Sequence, residues 1–194
     1  MRKKSHISLA CYLVHQTPSN ELQKHKKAFY LGSILPDCKP SFLTTKHEFD
    51  GTFDMIKHKI CTLSENTDKM KTNSRSYIRE LGEVIHYIAD YFTFPHNHTY
   101  DGNLKDHCFY EKDLKFALRH YLKSGQAVSD MTFMRRFDTP SALLGFIKRA
   151  HNEYLDRKRS LKDDCEYIVR ICHNVVHAIL NMLSIKMDAI LNFG

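Results

Sequence analysis

Glycine and proline are scarce in this chain, and that scarcity limits the architectures that it can adopt. The 194 residues contain 7 Gly and 5 Pro, whereas sheets joined by tight turns need these residues at many positions. Leu, Ile, Lys and Glu are frequent instead, and all four are compatible with helices. The chain is therefore expected to be all-α, and its length fits a single domain over residues 1–194 with a sizeable core.

Capping residues, helix-breaking residues and apolar periodicity divide the chain into about seven predicted helices. The predicted spans are about Lys4–His15, Ser19 or Asn20 to Pro36, Phe53–Leu63, Ser76–Phe92, Leu104–Leu122, a helix beginning at Pro140, and Lys162–Leu191. The stretches before Phe53 and from Ser64 to Asn73 are predicted as loops. Since no internal repeat or linker interrupts this pattern, we expect a single helical bundle.

The formal net charge is +7, which favours anionic partners such as phosphates, nucleic acid or an anionic membrane surface. The basic residues are spread along the chain, so an ordinary solvated surface is the alternative. The apolar stretch from Ile7 to Val14 is too short for a signal peptide, and no segment approaches the ~20 apolar residues of a membrane span. A cytoplasmic location with reduced cysteines is therefore expected.

Histidine is frequent, at 13 residues, and one group lies in and after the helix predicted at 76–92. His86 and Asp90 are four residues apart, so both side chains project from one helix face and can reach one ion. Gly82 leaves space one turn earlier, and His96 follows the helix end. Because His86 and Asp90 lie opposite the apolar stripe, the alternative is an exposed His–Asp pair worth a few tenths of a kcal/mol.

A second pair with the same spacing, His107 and Glu111, lies in the helix predicted at 104–122. Both residues share a stripe with four leucines, from Leu104 to Leu122. A glutamate that faces the interior is costly unless it is paired or bound to metal. A buried His–Glu hydrogen bond would satisfy the pair without metal, whereas the recurrence of the spacing favours a metal site.

Three further residues are weaker candidates when each is taken alone. His6 shares an apolar stripe with Ala10 and Leu13, where a single His is usually a core residue with satisfied hydrogen bonds. Asp37 follows a proline and can be an ordinary turn residue. His47 has no distinguishing feature of its own.

Taken in order, these residues resemble the zinc-dependent phospholipases C of bacteria, whose helical fold is shared with P1-type nucleases. The matching landmarks are Ser5-His6, Pro36-Asp37, His47-x-Phe49-Asp50, His86-x-x-x-Asp90, His96 and His107-x-x-x-Glu111. The interval from His86 to His96 is the most specific part. Glu111, where an Asp would be the alternative, favours the phospholipase branch over the nuclease branch.

The resemblance implies two or three zinc ions. One would be held by His47, His86 and Asp90, a second by His96, His107 and Glu111, and a third by His6 and Asp37, with Asp37 also the general base. In the family, the backbone amine and carbonyl of an N-terminal Trp complete the third site. This chain has no Trp, and Met1 stands five residues before His6, so the third site is expected to be weaker, to use another ligand, or to be empty.

The resemblance further implies a hydrolase that cleaves phosphodiesters with a metal-activated water. Its expected partners are a phosphodiester substrate, such as a phospholipid headgroup, and a membrane that it contacts peripherally. Cys38 and Thr44 stand where the phospholipases often have aromatic residues that contact choline, so a choline headgroup is not implied. Two alternatives stay open: a P1-type nuclease or nucleotidase on the same fold, and a non-catalytic protein in which zinc is structural.

Overall fold

The structure is a computed structural model that describes residues 1–38, 47–130, 135–157 and 160–193. Within these ranges it contains nine α-helices and no strand, which confirms the all-α prediction. The helices are α1 (Lys3–Gln16), α2 (Asn20–Lys24), α3 (Lys26–Gly32), α4 (Phe49–Glu65), α5 (Thr67–Tyr91), α6 (Leu104–Lys123), α7 (Gln126–Asp130), α8 (Pro140–Asp156) and α9 (Leu161–Phe193). Short 3₁₀ turns span Pro36–Cys38 and Phe94–His96.

Two predicted boundaries near the N-terminus differ from the structure. The helix predicted from residue 19 to residue 36 is divided into α2 and α3, because the backbone leaves the helical region at His25 (φ −109, ψ 23). Ser19 caps α2 by accepting a hydrogen bond from the Leu22 backbone N–H at 3.3 Å. α4 begins at Phe49 rather than Phe53. Residues 39–46 of the predicted loop, including Thr44, lie outside the described residues.

The segment from residue 64 to residue 73, predicted as a loop, is largely helical. α4 continues to Glu65 and α5 begins at Thr67. The side chain of Asn66 caps α5 by accepting a hydrogen bond from the Lys69 backbone N–H at 2.8 Å. Asn66, between the two helices (φ −87, ψ 78), and Asn73, inside α5 (φ −147, ψ 60), depart from helical geometry, so the polar composition of this segment reflects a kinked, partly exposed helix. The short helix α7 was likewise not predicted.

The second half of α5 lies at the centre of the bundle, where it packs against α3, α4 and α9. Its apolar stripe from Ile78 to Ile88 is buried, as predicted. The opposite face, which carries His86 and Asp90, is also fully buried, with both residues 0% exposed. The alternative of an exposed His–Asp pair is therefore wrong, because α1 and the end of α3 cover this face and His6 of α1 stacks on it.

α3 and α5 approach so closely that their backbones touch at two glycines. A Cβ on Gly32 would collide with a backbone carbonyl of α5, and one on Gly82 would collide with a backbone carbonyl of α3. Only glycine fits at such a crossing. The close approach brings the carbonyl oxygen of Ser33 within 2.9 Å of His86 Nδ1. The space expected beside Gly82 is thus filled by the backbone of α3.

The last helix, α9, is long and apolar enough over Leu161–Ile190 to cross a membrane by length and composition. This differs from the sequence-based expectation that no such segment exists. Of its most apolar 18-residue window, 67% is buried inside the protein, where α9 packs against α4, α5 and α6. Such burial is what the core helix of a helical bundle shows.

Candidate metal centre

The eight predicted ligand residues converge on one polar region of the bundle, although they come from separate parts of the chain. α1 supplies His6, the turn Pro36–Cys38 supplies Asp37, the residues before α4 supply His47, α5 supplies His86 and Asp90, the turn Phe94–His96 supplies His96, and α6 supplies His107 and Glu111. They form three groups, and within each group the ligand atoms all lie within 4.8 Å of one another.

The first group contains His47, His86 and Asp90, all of them buried. His47 Nδ1 lies 3.0 Å from His86 Nε2 and 3.1 Å from Asp90 Oδ2, and His86 Nε2 lies 3.3 Å from the same oxygen. Because His86 Nδ1 faces the Ser33 carbonyl at 2.9 Å, Nδ1 carries the proton and donates it. The lone pair of Nε2 then points at a carboxylate, an arrangement that a metal ion between them would stabilise.

The second group contains His96, His107 and Glu111 and lies nearer to solvent. His96 Nε2 and His107 Nε2 each lie 3.2 Å from Glu111 Oε1. His107 and Glu111 face the same way because residues four apart share one side of a helix. Their side chains, 28% and 16% exposed, open onto a cleft of about 590 Å³. A substrate can therefore reach this group from outside.

The third group joins His6 and Asp37 to His86. The rings of His6 and His86 stack with their centroids 4.0 Å apart, and Asp37 Oδ1 lies 3.6 Å from His86 Nε2. His6 Nε2 is buried and makes no well-aligned hydrogen bond. Burial, followed by the neighbouring His86, lowers the pKa of His6 to about 3. His6 is therefore neutral at pH 7, and its ring nitrogen is available to a metal.

The α-amine of Met1 lies among these groups, which the sequence analysis did not predict. It donates a hydrogen bond to Asp90 Oδ1 at 2.6 Å and lies 3.0 Å from His96 Nε2 and 3.2 Å from Glu111 Oε1. Burial lowers the pKa of this amine, but the two carboxylates outweigh burial and raise it overall. Since α1 begins at Lys3, two residues suffice to bring the amine from the helix to the centre.

The positive charge of this amine acts on the carboxylates around it. Burial alone would raise the pKa of Asp90, yet the Met1 ammonium and then His96 lower it well below its ordinary value. Burial likewise opposes ionisation of Glu111, whereas hydrogen bonds from His107 and His96 lower its pKa. Both carboxylates are therefore ionised at neutral pH, and the centre concentrates negative charge that a cation neutralises.

The donor set of the centre fits zinc. The groups contain five imidazoles and three carboxylates, and nitrogen and oxygen are ligands that Zn²⁺ binds in sets of three or four. His6 is neutral and lacks a well-aligned hydrogen bond, and the ring of His86 is oriented by a backbone carbonyl through its other nitrogen. Such a carbonyl is the usual outer partner of a metal-bound histidine.

One buried carboxylate outside the ligand set holds two of the segments that carry ligands. Asp164 accepts hydrogen bonds from the Phe94 backbone N–H at 3.1 Å, from Tyr110 Oη at 3.0 Å and from Tyr154 Oη at 2.7 Å. Phe94 begins the turn that ends at His96, and Tyr110 immediately precedes the glutamate ligand of α6. The sequence analysis did not single out Asp164, because an acidic residue near the start of a helix usually only complements the helix dipole.

The structure corrects one part of the helical-wheel argument for α6. Leu114 and Leu118 are buried as predicted, whereas Leu104 is 78% exposed. Leu104 is the first residue of α6, and the two residues that follow it are exposed as well. The inward placement of His107 and Glu111 does not depend on it.

The fold and the centre together define an all-helical protein that brings His and carboxylate side chains into three groups with the spacing of metal ligands. A profile of the zinc-dependent phospholipase C family matches residues 5–161, a range that contains all eight of these ligand residues. The chain belongs to the zinc-dependent phospholipase C family. Neither the comparison with curated proteins nor the comparison with solved structures found a significant match.

Proposed function

We propose that this protein is a zinc-dependent phosphodiesterase of the phospholipase C type. The observation that carries the proposal is the convergence of three ligand groups on one centre, with one group opening onto a cleft. Adjacent metal ions favour a displacement at phosphorus. The attacking oxygen loses negative charge and the leaving oxygen gains it, and the ions stabilise both oxygens. The family of the chain supports the same chemistry.

We assign two or three ions to the ligand groups. The first would be held by His47, His86 and Asp90, the second by His96, His107 and Glu111, and the third by His6 and Asp37. The α-amine of Met1 would serve the third site in place of the Trp amine of the family, since a metal can displace the proton of a nitrogen ligand. Its charge acts on both His6 and Asp37, which supports this role.

The charge of the loaded centre favours a phosphate. Three carboxylates supply three negative charges, whereas two zinc ions supply four positive charges and the imidazoles are neutral ligands. A net positive centre attracts an anionic diester. Zinc, when bound, polarises phosphoryl oxygens and lowers the pKa of a bound water.

We assign Asp37 as the general base. Its side chain is 9% exposed and lies 3.8 Å from His47 Nδ1, at the edge of the ligand groups. Burial raises the pKa of Asp37 in the metal-free protein, although His86 opposes the shift. Asp37 takes a proton from the attacking water while the oxygen of that water forms a bond to phosphorus. The bond from phosphorus to the leaving alkoxide breaks, and the alkoxide is protonated by solvent.

The test is hydrolysis of phosphodiesters by the zinc-loaded protein, with bis(p-nitrophenyl) phosphate, p-nitrophenyl phosphorylcholine and single-stranded DNA as substrates. We expect hydrolysis of the first substrate to stop on chelation and to return when zinc is added. Asp37→Asn should lower kcat by about 10²–10⁴-fold, the usual contribution of a general base. Asp54→Asn, an exposed position on α4, is the matched control and should leave kcat unchanged.

The same assay separates the alternatives. Hydrolysis that persists in the metal-free protein would contradict the proposal. Faster turnover of single-stranded DNA than of the phosphorylcholine ester would favour the nuclease alternative. Full zinc loading without hydrolysis of any diester, together with a large loss of Tm on chelation, would favour structural zinc.

A further inference from the structure

The outer side of α6 exposes large apolar side chains along its length. Leu104, Phe109 and Phe116 are 78%, 53% and 53% exposed. Phe109 and Phe116 are seven residues apart, so they lie within about 20° of each other around the helix. Leu104 lies about 120–140° away from both rings around the helix. A single exposed apolar residue is ordinary, whereas two exposed aromatic rings on one face indicate an interaction surface.

Cations surround these aromatic rings. We call the surface formed by the following side chains the basic face of α6: Lys105, Phe109, Lys112, Lys115, Phe116 and Arg119. Lys105 Nζ lies 5.9 Å from the Phe109 ring centroid, and Lys115 Nζ lies 4.1 Å from the Phe116 ring centroid. Basic and aromatic side chains thus alternate within one surface, as in helices that lie at a membrane interface.

The start of α1 adds further positive charge beside this surface. Arg2 Nη2 donates a hydrogen bond to the Cys108 carbonyl oxygen at 2.9 Å, which holds the chain start against α6. Desolvation, and then the neighbouring Arg2 and Lys4, lower the pKa of Lys115. Desolvation is the larger cause, and the repulsion that adds to it shows that these cations lie close to one another, so an anionic partner would stabilise them.

The carboxylates of α6 reduce the positive charge of the basic face only at the edge of that face. Asp106 is engaged in the capping box at the helix start with Asn103. Asp113 borders the basic face on the side away from Lys115, by its position around the helix. Lys105, Lys112, Lys115 and Arg119 therefore outnumber the acids on the exposed side of α6.

The basic face of α6 adjoins the cleft of the metal centre. The ligands His107 and Glu111 line that cleft, and so do Leu104, Lys115 and Arg2. A flat partner lying on the basic face would therefore extend over the opening that leads to the second ligand group.

We propose that the basic face of α6 docks on an anionic phospholipid bilayer, with Phe109 and Phe116 inserted at the level of the headgroups. Charge complementarity selects an anionic surface, and the exposed apolar side chains select a lipid surface over a purely polar polyanion. The docking stands on the surface of α6 alone. The further statement, that the docked protein cleaves a lipid diester, rests on the proposed function.

Vesicle sedimentation of the zinc-loaded protein tests the docking without any need for catalysis. Vesicles of phosphatidylcholine are compared with vesicles that contain phosphatidylserine as well. We expect strong binding only to the anionic vesicles, weakened by salt because exposed charges are screened. Equal binding to both vesicle types, or to neither, would overturn the proposal.

Two sets of variants locate the contact. Lys105→Ala/Lys112→Ala/Arg119→Ala should weaken partitioning by about 100-fold, because each cation near an anionic surface contributes roughly fivefold. The control is Lys24→Ala/Lys57→Ala/Lys71→Ala, which removes three exposed cations on other helices and should have a much smaller effect. If both triple variants lose binding equally, general charge attraction explains the result and the proposed face is wrong.

The second set removes apolar contacts while keeping the charge. Phe109→Ser/Phe116→Ser should weaken vesicle binding at least tenfold, whereas Leu31→Ser/Met55→Ser, at positions 48% and 42% exposed on other helices, should not. The α6 variants should keep full activity on bis(p-nitrophenyl) phosphate, so a failure of docking is distinguishable from a failure of catalysis. Tighter binding to single-stranded DNA than to anionic vesicles would assign the face to a nucleic acid and overturn the proposal.

Discussion

Replacing Gly82 with Ala should force α3 away from α5 and weaken the metal centre. The added Cβ would collide with the Phe29 carbonyl oxygen and would lie 3.0 Å from the Ser33 backbone nitrogen and 3.1 Å from Gly32 Cα. Non-bonded carbon atoms pack at about 3.5–4.0 Å, so the backbones must separate by roughly 0.5–1 Å. Since backbone atoms cannot rotate aside, we expect a destabilisation of about 3 kcal/mol, at the upper end of overpacking effects.

The separation of α3 and α5 should also weaken metal binding. The Ser33 carbonyl would move away from His86 Nδ1, which it contacts at 2.9 Å, and loss of such an outer partner typically lowers metal affinity by about 10–100-fold. Urea unfolding of the metal-free protein measures the loss of stability, and competition with a chromogenic chelator measures the loss of zinc affinity. Gly51→Ala is the matched control, because a Cβ on this exposed residue of α4 meets nothing within 4 Å.

We expect Gly51→Ala to stabilise the protein by about 0.5–1 kcal/mol through helix propensity. If Gly82→Ala is as stable as Gly51→Ala and binds zinc as tightly as the unchanged protein, the close approach of α3 and α5 does not support the centre and this reasoning is refuted.

Two further predictions concern buried residues outside the ligand set. Asp164→Ala leaves three hydrogen-bond donors without their acceptor, so Tm should fall by roughly 6–12 °C and zinc should bind less tightly; unchanged zinc affinity would show that Asp164 does not position the ligands. Burial lowers the pKa of His151 to about 4, so the unfolded state binds more protons below pH 6.5, and stability falls as the pH falls towards 4. Between pH 8 and pH 5, this group should lower the free energy of unfolding by about 2 kcal/mol. His151→Gln, which can still donate to Asn97, should remove that part of the pH dependence in urea unfolding of the metal-free protein, and an unchanged dependence would contradict the assignment.

Four of the candidate ligand positions were accessible to sequence reasoning because their geometry is local. His86 and Asp90, like His107 and Glu111, are four residues apart, and helical periodicity alone places each pair on one face. Family order then added His6, Asp37 and His47, which have no local pattern of their own. The confirmed all-α fold follows from equally local signals, namely caps and breakers.

What the sequence did not reveal depends on contacts between distant segments. A helical wheel shows that His86 faces away from the apolar stripe, but not that α1 covers that face. No pattern marks the Met1 amine as a neighbour of Asp90, 89 residues away, or Asp164 as an acceptor for three separated donors. The cytoplasmic location and the single-domain organisation stay predictions, since they depend on more than the arrangement of these helices.

The most direct test of the zinc cluster is the metal content per chain of the purified, zinc-equilibrated protein, measured by elemental analysis. The three ligand groups predict at least two zinc ions per chain. His107→Ala, which affects only the second group, should lose one ion, and His86→Ala, whose ring belongs to two groups, should lose at least as many. A protein that carries no zinc, or that keeps its full zinc content in both variants, would contradict the metal centre described above.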